Sequence, residues 1–211
     1  MTATGTPAVP DPPQPFDPDV VTLPVGQTLF RVHSTNRQGH QFNPGMGAPT
    51  RFAFFGDPAV PSLYAAETEQ AAIAESLLHD VPLAGGRLVP SAYRDKRMSR
   101  LGTSRELRLA SFMGLGLRRL GVSADQVTTT VAAHYDRTVL WAQAAHQAGF
   151  DGVAYLSRQC NSDRAYAFFG DRADDAFLVD PSYRWDFGDP LEGLPRLITF
   201  CSTLGVDVLV R

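Results

Sequence analysis

The sequence is poor in cysteine, in histidine and in long apolar runs, and each shortage excludes something. Cys160 and Cys201 are the two cysteines of the 211 residues; they make no disulfide framework and lack metal-ligand spacing, as expected of a reduced, cytoplasmic chain. The five histidines (His33, His40, His79, His134, His146) show no zinc spacing, so no metal is expected. No apolar stretch reaches the length of a membrane helix, and the N-terminus lacks the basic start and apolar centre of a secretory signal. A formal net charge of -3 is without the basic excess of a nucleic-acid binder. The clusters Arg94–Arg100 and Arg118–Arg119 read as solvated faces, so neither a membrane nor direct nucleic-acid binding is expected. There is no Walker A sequence, no G-x-S-x-G surrounds Ser157, and the spacing of Gly114, Gly116 and Gly121 is wrong for a dinucleotide loop.

What is present is a globular composition, 44% hydrophobic and 10% aromatic, at a length that implies one domain with a tail. Residues 1–24 hold seven of the sixteen prolines and almost no apolar pattern, which predicts a flexible leader before a folded domain over 25–211. Thr28–His33 alternates as a strand, Ser34–Pro49 reads as a loop, Arg51–Phe55 as a short aromatic strand and Ser62–Ala65 as another. Thr68 is an N-cap for an alanine-rich helix running to His79, which favours the negative end of the dipole; Ile73 with Leu77 and Ala74 with Leu78 form its buried stripe. Arg87–Ser104 reads as two strands with turns, and Leu107–Leu120 is ambiguous between strand and helix. A second helix is predicted over Arg137–Gln147, with Gly149 as its C-cap. Strands follow at Val153–Ser157 and Tyr166–Phe169, and Leu197–Val210 could form edge strands or a short helix. Strands and helices mix without regular βαβ alternation, so the expected class is α+β. The exposed strands near the C-terminus would admit a homodimer.

Five polar residues lie in apolar contexts, where each is costly unless paired or used. Arg31, between Phe30 and Val32, is either an exposed edge residue or a phosphate clamp, since guanidinium grips phosphate through two parallel hydrogen bonds. Arg51 follows a glycine-containing loop, a placement that favours function over a plain salt bridge. Tyr64 reads as a core tyrosine or as a ring that stacks on a flat base. Glu75 sits at the edge of the helix stripe, able to look into a cleft beside the core, or else simply at the surface. Ser157 ends a buried strand, where it caps backbone or binds a ligand. Together these residue types suit an anionic substrate whose reaction develops positive charge.

The segments FRVHS (Phe30–Ser34), FNPG…TRF, LYAAETEQAAIAESLLHD (Leu63–Asp80), GVAYLSR and AYAFFGDR resemble, in that order, the RES-domain family over about Leu29 to Arg172. By position the family's arginine falls on Arg51, its tyrosine on Tyr64, its glutamate on Glu75 and its serine on Ser157, and Arg31 matches the arginine of its first strand. The family often has a GGRW-like sequence where this chain has Ala48-Pro49-Thr50-Arg51-Phe52, and the loop to Tyr64 is somewhat long. The resemblance implies an α+β, ADP-ribosyltransferase-like mixed sheet with flanking helices. It implies a bacterial, cytoplasmic toxin that cleaves the nicotinamide–ribose bond of NAD⁺ with phosphate or water as acceptor, and an Xre-like antitoxin as partner. Arg51, Tyr64, Glu75 and Ser157 would be its catalytic residues, with Arg31, Arg51, Tyr64 and Ser157 holding NAD⁺. Two alternatives use the same residues: an ADP-ribosyltransferase that modifies a specific protein, and a catalytically silent module that binds NAD⁺ or the antitoxin.

Overall fold

Alternate residues of three central strands enter two different cores, and this period of two builds the sheet. In GVAYL, Val153 and Tyr155 join a cluster with Phe112 and Trp141, while Ala154 joins a second with Leu109 and Phe168; Ala167 and Phe168 divide the same way. A sheet buried on both faces reads as continuous apolar sequence, as these strands do.

The computed structural model describes residues 8–82 and 84–211. Its elements in chain order are β1 (Val20–Leu23), β2 (Thr28–Ser34), β3 (Ser62–Ala66), α1 (Glu69–Ser76), β4 (Arg87–Leu88), α2 (Pro90–Tyr93), β5 (Lys96–Thr103) and β6 (Leu107–Phe112). There follow α3 (Leu115–Arg119), α4 (Ala124–Val127), α5 (Tyr135–Gln147), β7 (Gly152–Leu156), β8 (Arg164–Phe169), α6 (Gly170–Ala173), β9 (Phe177–Val179), β10 (Trp185–Asp186), α7 (Gly193–Ser202) and β11 (Asp207–Val208). The main sheet runs β1-β6-β7-β8-β3-β2-β5-β10, with β9 also on β5, and β11 pairs with β4 in a small parallel ribbon. Among the described residues of the main sheet only β6–β7 is parallel, and α3 to α5 make that crossover. The class is α+β, a central sheet with flanking helices.

One junction in this sheet is nearly unpaired. β2 matches β5 from Thr28 to Ser34 and β3 matches β8 from Ser62 to Ala66, but β2 and β3 meet only at Phe30↔Ala66. Past that point the two strands diverge and leave an opening in the sheet. Helix α1 is held beside it: Thr68 Oγ1 accepts from Ala71 N at 3.1 Å, and Ala71, Ala72 and Ile73 are buried in a third core with Trp185 and Leu197.

The structure departs from the sequence reading at several points. The segment expected as a leader is partly built into the fold: β1 pairs with β6, Val9 enters the core beside Trp141, and Trp141 Nε1 donates to the Pro10 carbonyl at 2.9 Å. A few well-spaced apolar residues (Val9, Phe16, Leu23) anchor this extended chain, whose prolines already restrict it before folding. The same expectation for residues 1–7 lies outside the described residues. Arg51–Phe55 is no strand. Thr50 N donates to Ala53 O at 2.7 Å across a tight turn, whose backbone is met by the side chains of Tyr64 and Thr138 instead of a neighbouring strand. Helix α1 stops at Ser76 rather than His79, because Leu77 and Leu78 both turn into the core and their amides converge on Ile73 O. Leu107–Leu120 is a strand followed by a helix, divided at Gly114, whose φ is +53. The short helix α2 stands between the two strands expected over Arg87–Ser104, and Leu197–Val210 holds both the end of α7 and β11.

Leu23 on β1 is 2% exposed within the second core. Leu23→Ala is therefore expected to lower the unfolding free energy by about 2–5 kcal/mol in urea titration, whereas a detached leader would give no change.

Candidate active site

A cavity of about 430 Å³ lies at the β2–β3 opening, within the range of small-molecule sites, roughly 300–1,000 Å³. Arg31 and Phe30 reach it from β2, Tyr64 from β3, Glu75 from α1, Arg51 from the tight turn and Tyr135 from the start of α5. Four of the five residues singled out from the sequence thus share one cavity. Ser157 does not line it and stands behind Glu75.

Glu75 is the most heavily bonded side chain of the site. Its Oε1 accepts from Ser157 Oγ at 2.8 Å and from the Arg158 amide at 2.9 Å, and its Oε2 accepts from Tyr155 Oη at 3.2 Å. Arg51 Nη1 lies 3.9 Å from Oε2. Ser157 is fully buried, and its Oγ also accepts from Cys160 N at 3.2 Å, which ties the loop after β7 to the same carboxylate. Charge-assisted hydrogen bonds of this kind are short and about twice as strong as neutral ones, so the carboxylate is held in one orientation.

Arg51 is 4% exposed and incompletely satisfied. Its Nη2 donates to Thr130 O at 3.3 Å, its backbone oxygen accepts from Thr138 Oγ1 at 2.7 Å, and its guanidinium carbon sits 5.6 Å from the Tyr135 ring centre. Its Nε is buried without a partner among the described residues. Arg31, 7% exposed, donates through Nη1 to the carbonyls of Gly39 at 2.7 Å and Gln41 at 2.8 Å. Burial first, and the nearby charge of Arg37 second, lower its guanidinium to about 10, so it remains a cation at neutral pH. Two buried arginines with donors to spare make a site for an anion.

The tyrosines are neutral donors across the physiological range. Burial pushes Tyr64 up to about 12, and burial followed by the Glu75 charge pushes Tyr155 well up; Tyr135 is raised mainly by burial. Tyr64 Oη accepts from Phe52 N at 3.1 Å and is 2.9 Å from Thr50 Oγ1, so its hydroxyl shapes the Arg51 turn while its ring faces the cavity. Tyr135 Oη and His79 Nε2 meet at 3.1 Å on the cavity wall, a place that the sequence pattern, which marks His79 as a helix end, does not show.

Sequence reasoning missed Tyr155, Tyr135 and the Arg158 amide. Tyr155 was within reach, since it lies two residues before Ser157 and a strand repeats its faces every second residue. Nothing local marks Tyr135 or a backbone amide. Among the described residues no cluster of three or more His, Cys, Asp or Glu could hold a metal ion, and no helix is long and apolar enough to cross a membrane.

Two measurements follow from this geometry. Ser157→Ala removes a buried donor to Glu75 and the acceptor of Cys160 N, and is expected to lower the unfolding free energy by about 1–3 kcal/mol in chemical denaturation. His33, beside Arg31 on β2, is lowered from 6.5 to about 4, chiefly by burial and then, against a backbone bond to Ser34, by the Arg31 and Arg97 charges. The unfolded chain takes up this proton first, so the contribution is complete above pH 6.5 and is lost as the pH falls to about 4. His33→Gln should flatten stability against pH in that window, read from urea titrations at several pH values.

The fold and site have counterparts among known proteins. One chain of the crystal structure of the M. tuberculosis MbcT–MbcA toxin–antitoxin complex superposes with a TM-score of 0.53 at 15% identity, over 78% of this chain and 86% of that one. Comparison with curated proteins gives no match. The sequence model of the RES domain matches residues 28–188, a span that carries Arg31, Arg51, Tyr64, Glu75 and Ser157, and the chain belongs to the RES domain family.

Proposed function

We propose that the protein cleaves the nicotinamide–ribose bond of NAD⁺, with water or phosphate as acceptor, and acts as the toxin of a toxin–antitoxin pair. The observation that carries this reading is the Glu75 carboxylate, oriented by three donors, on the wall of a cavity that also holds two buried arginines. In the reaction the bond between ribose C1′ and the pyridinium nitrogen breaks with its electron pair going to nitrogen, so nicotinamide leaves neutral. An acceptor oxygen then bonds to C1′, and in hydrolysis its proton passes to solvent. Positive charge develops on the ribose in between, and a fixed carboxylate stabilises it without having to reorganise.

The other residues divide the remaining work. Arg31 and Arg51 hold the pyrophosphate, and Arg51 also receives phosphate when phosphate is the acceptor. The rings of Tyr64 and Tyr135 pack against nicotinamide or ribose. Ser157 and Tyr155 are positioning residues that act through Glu75, a different role from the direct contact expected of Ser157. The opening between β2 and β3 supports reading the sheet as ADP-ribosyltransferase-like. Family membership and the likeness to a chain of a toxin–antitoxin complex support a bacterial, cytoplasmic toxin whose partner is an Xre-like antitoxin.

Nicotinamide release from NAD⁺ by the purified protein, with and without inorganic phosphate, tests the reading. Glu75→Gln is expected to reduce turnover by about 10²–10³ while the protein stays folded. Full turnover by that variant would remove Glu75 from the chemistry and sink the proposal. Stimulation by phosphate would identify phosphorolysis.

A further inference from the structure

A second compartment of about 350 Å³ adjoins the Glu75 cavity and shares Arg31, Thr50 and Tyr64 with it as walls. It lies between the end of β2 and the segment that carries Asn43, Phe54 and Ser62, and its walls also include Lys96, the register partner of Ser34 at the start of β5, and Arg37 in the loop after β2. Among the described residues its lining contains Arg31, Arg37 and Lys96 and neither aspartate nor glutamate. The one histidine on its wall, His33, is neutral above about pH 4.

These three cations are poorly compensated. Arg31 uses Nη1 on two loop carbonyls, and its Nε and Nη2 have no protein acceptor among the described residues. Lys96 meets Asp95 at 3.5 Å, an exposed pair worth little, and Arg37 has no carboxylate within ion-pair reach among the described residues. The charge of Arg37 acts on Arg31 strongly enough to lower it, second only to burial. Like charges brought together beside a buried group are unfavourable unless an anion joins them. Two guanidinium groups and an ammonium around one opening match the oxygens of a phosphoryl group, which arginine can grip in two-point fashion and lysine as a point charge.

We propose that this compartment is a phosphoryl subsite, in which Arg31, Arg37 and Lys96 hold one phosphate group next to the Glu75 cavity. Two sources carry that chemistry: a phosphate ester on the adenosine ribose of a phosphorylated dinucleotide, and free inorganic phosphate. The first rests on the NAD⁺ reading above; the second does not. Arg37 makes no side-chain bond that the fold depends on, so its replacement isolates the charge.

Calorimetric titration of the full chain with three probes decides the matter: ADP-ribose, its 2′-phosphorylated form, and inorganic phosphate alone. If the subsite takes the dinucleotide's phosphate, the 2′-phosphorylated form binds at least about tenfold tighter than ADP-ribose. That preference disappears in Arg37→Gln and in Lys96→Gln, each with the melting temperature of the parent. If it takes free phosphate, the two ADP-ribose forms bind alike, and inorganic phosphate binds with the same dependence on Arg37 and Lys96. The proposal is overturned if neither substitution changes any of the three affinities, or if no phosphate-bearing probe binds. Should ADP-ribose fail to bind and NAD⁺ yield no nicotinamide, the dinucleotide reading falls, while inorganic phosphate still tests the subsite.

Discussion

The carboxylate of Glu75 is met by the Ser157 hydroxyl, the Arg158 amide and the Tyr155 phenol, and much of the surrounding architecture serves to bring these three to it. A charge removed from water is costly unless donors replace the lost solvent. Here the donors come from β7 and the turn after it, which meet the helix that carries the acid on the side away from the cavity mouth. Helix α1 is in turn fixed by its Thr68 cap and by alanines small enough to lie close against β2 and β3. Displacing either element would leave a carboxylate without donors on one side and a buried serine without an acceptor on the other.

The second constraint is the incomplete pairing of β2 with β3. A sheet normally satisfies its backbone groups by continuous pairing, and a break must be met from elsewhere. Below Phe30↔Ala66 the strands part, and the loop after β2 takes over at the start of β3, where Asn43 and Ser62 exchange backbone hydrogen bonds at 2.8 and 2.9 Å; the side chains of Arg31 and Tyr64 meanwhile bind loop backbone, the carbonyls of Gly39 and Gln41 and the Phe52 amide. The side chains that fix these loops thereby line the opening. The tight turn at Arg51 belongs to this arrangement, because Tyr64 and Thr138 hold its backbone while its guanidinium points toward Glu75.

Charge is distributed unevenly about that opening. On the Glu75 side, anion and cation face each other across a cavity with aromatic walls. On the Arg37 side, three cations line the opening and no carboxylate does among the described residues. The first environment suits a cation and the second an anion, so the opening is polarised along its length. Three neutral tyrosines contribute dipoles without adding charge.

Much of this was legible in the sequence, for local reasons. Short continuous apolar runs announced β7 and β8, the Thr68 cap with its alanine-rich run announced α1, and polar residues in apolar settings marked Arg31, Arg51, Tyr64 and Glu75. What stayed hidden depends on partners distant in the chain. The aromatic run at Arg51–Phe55 is strand-like by propensity and becomes a turn because residues 64 and 138 meet its backbone. The proline-rich start looks unable to fold by composition, yet Val9 and Leu23 find places in cores built mainly by residues far along the chain. The identity of the candidate side chains was thus determined by the sequence itself, through local pattern and cost of burial. Their roles, with Glu75 on the cavity wall and Ser157 behind it, were decided only by tertiary structure, because a hydrogen bond between residues 82 apart has no local signature.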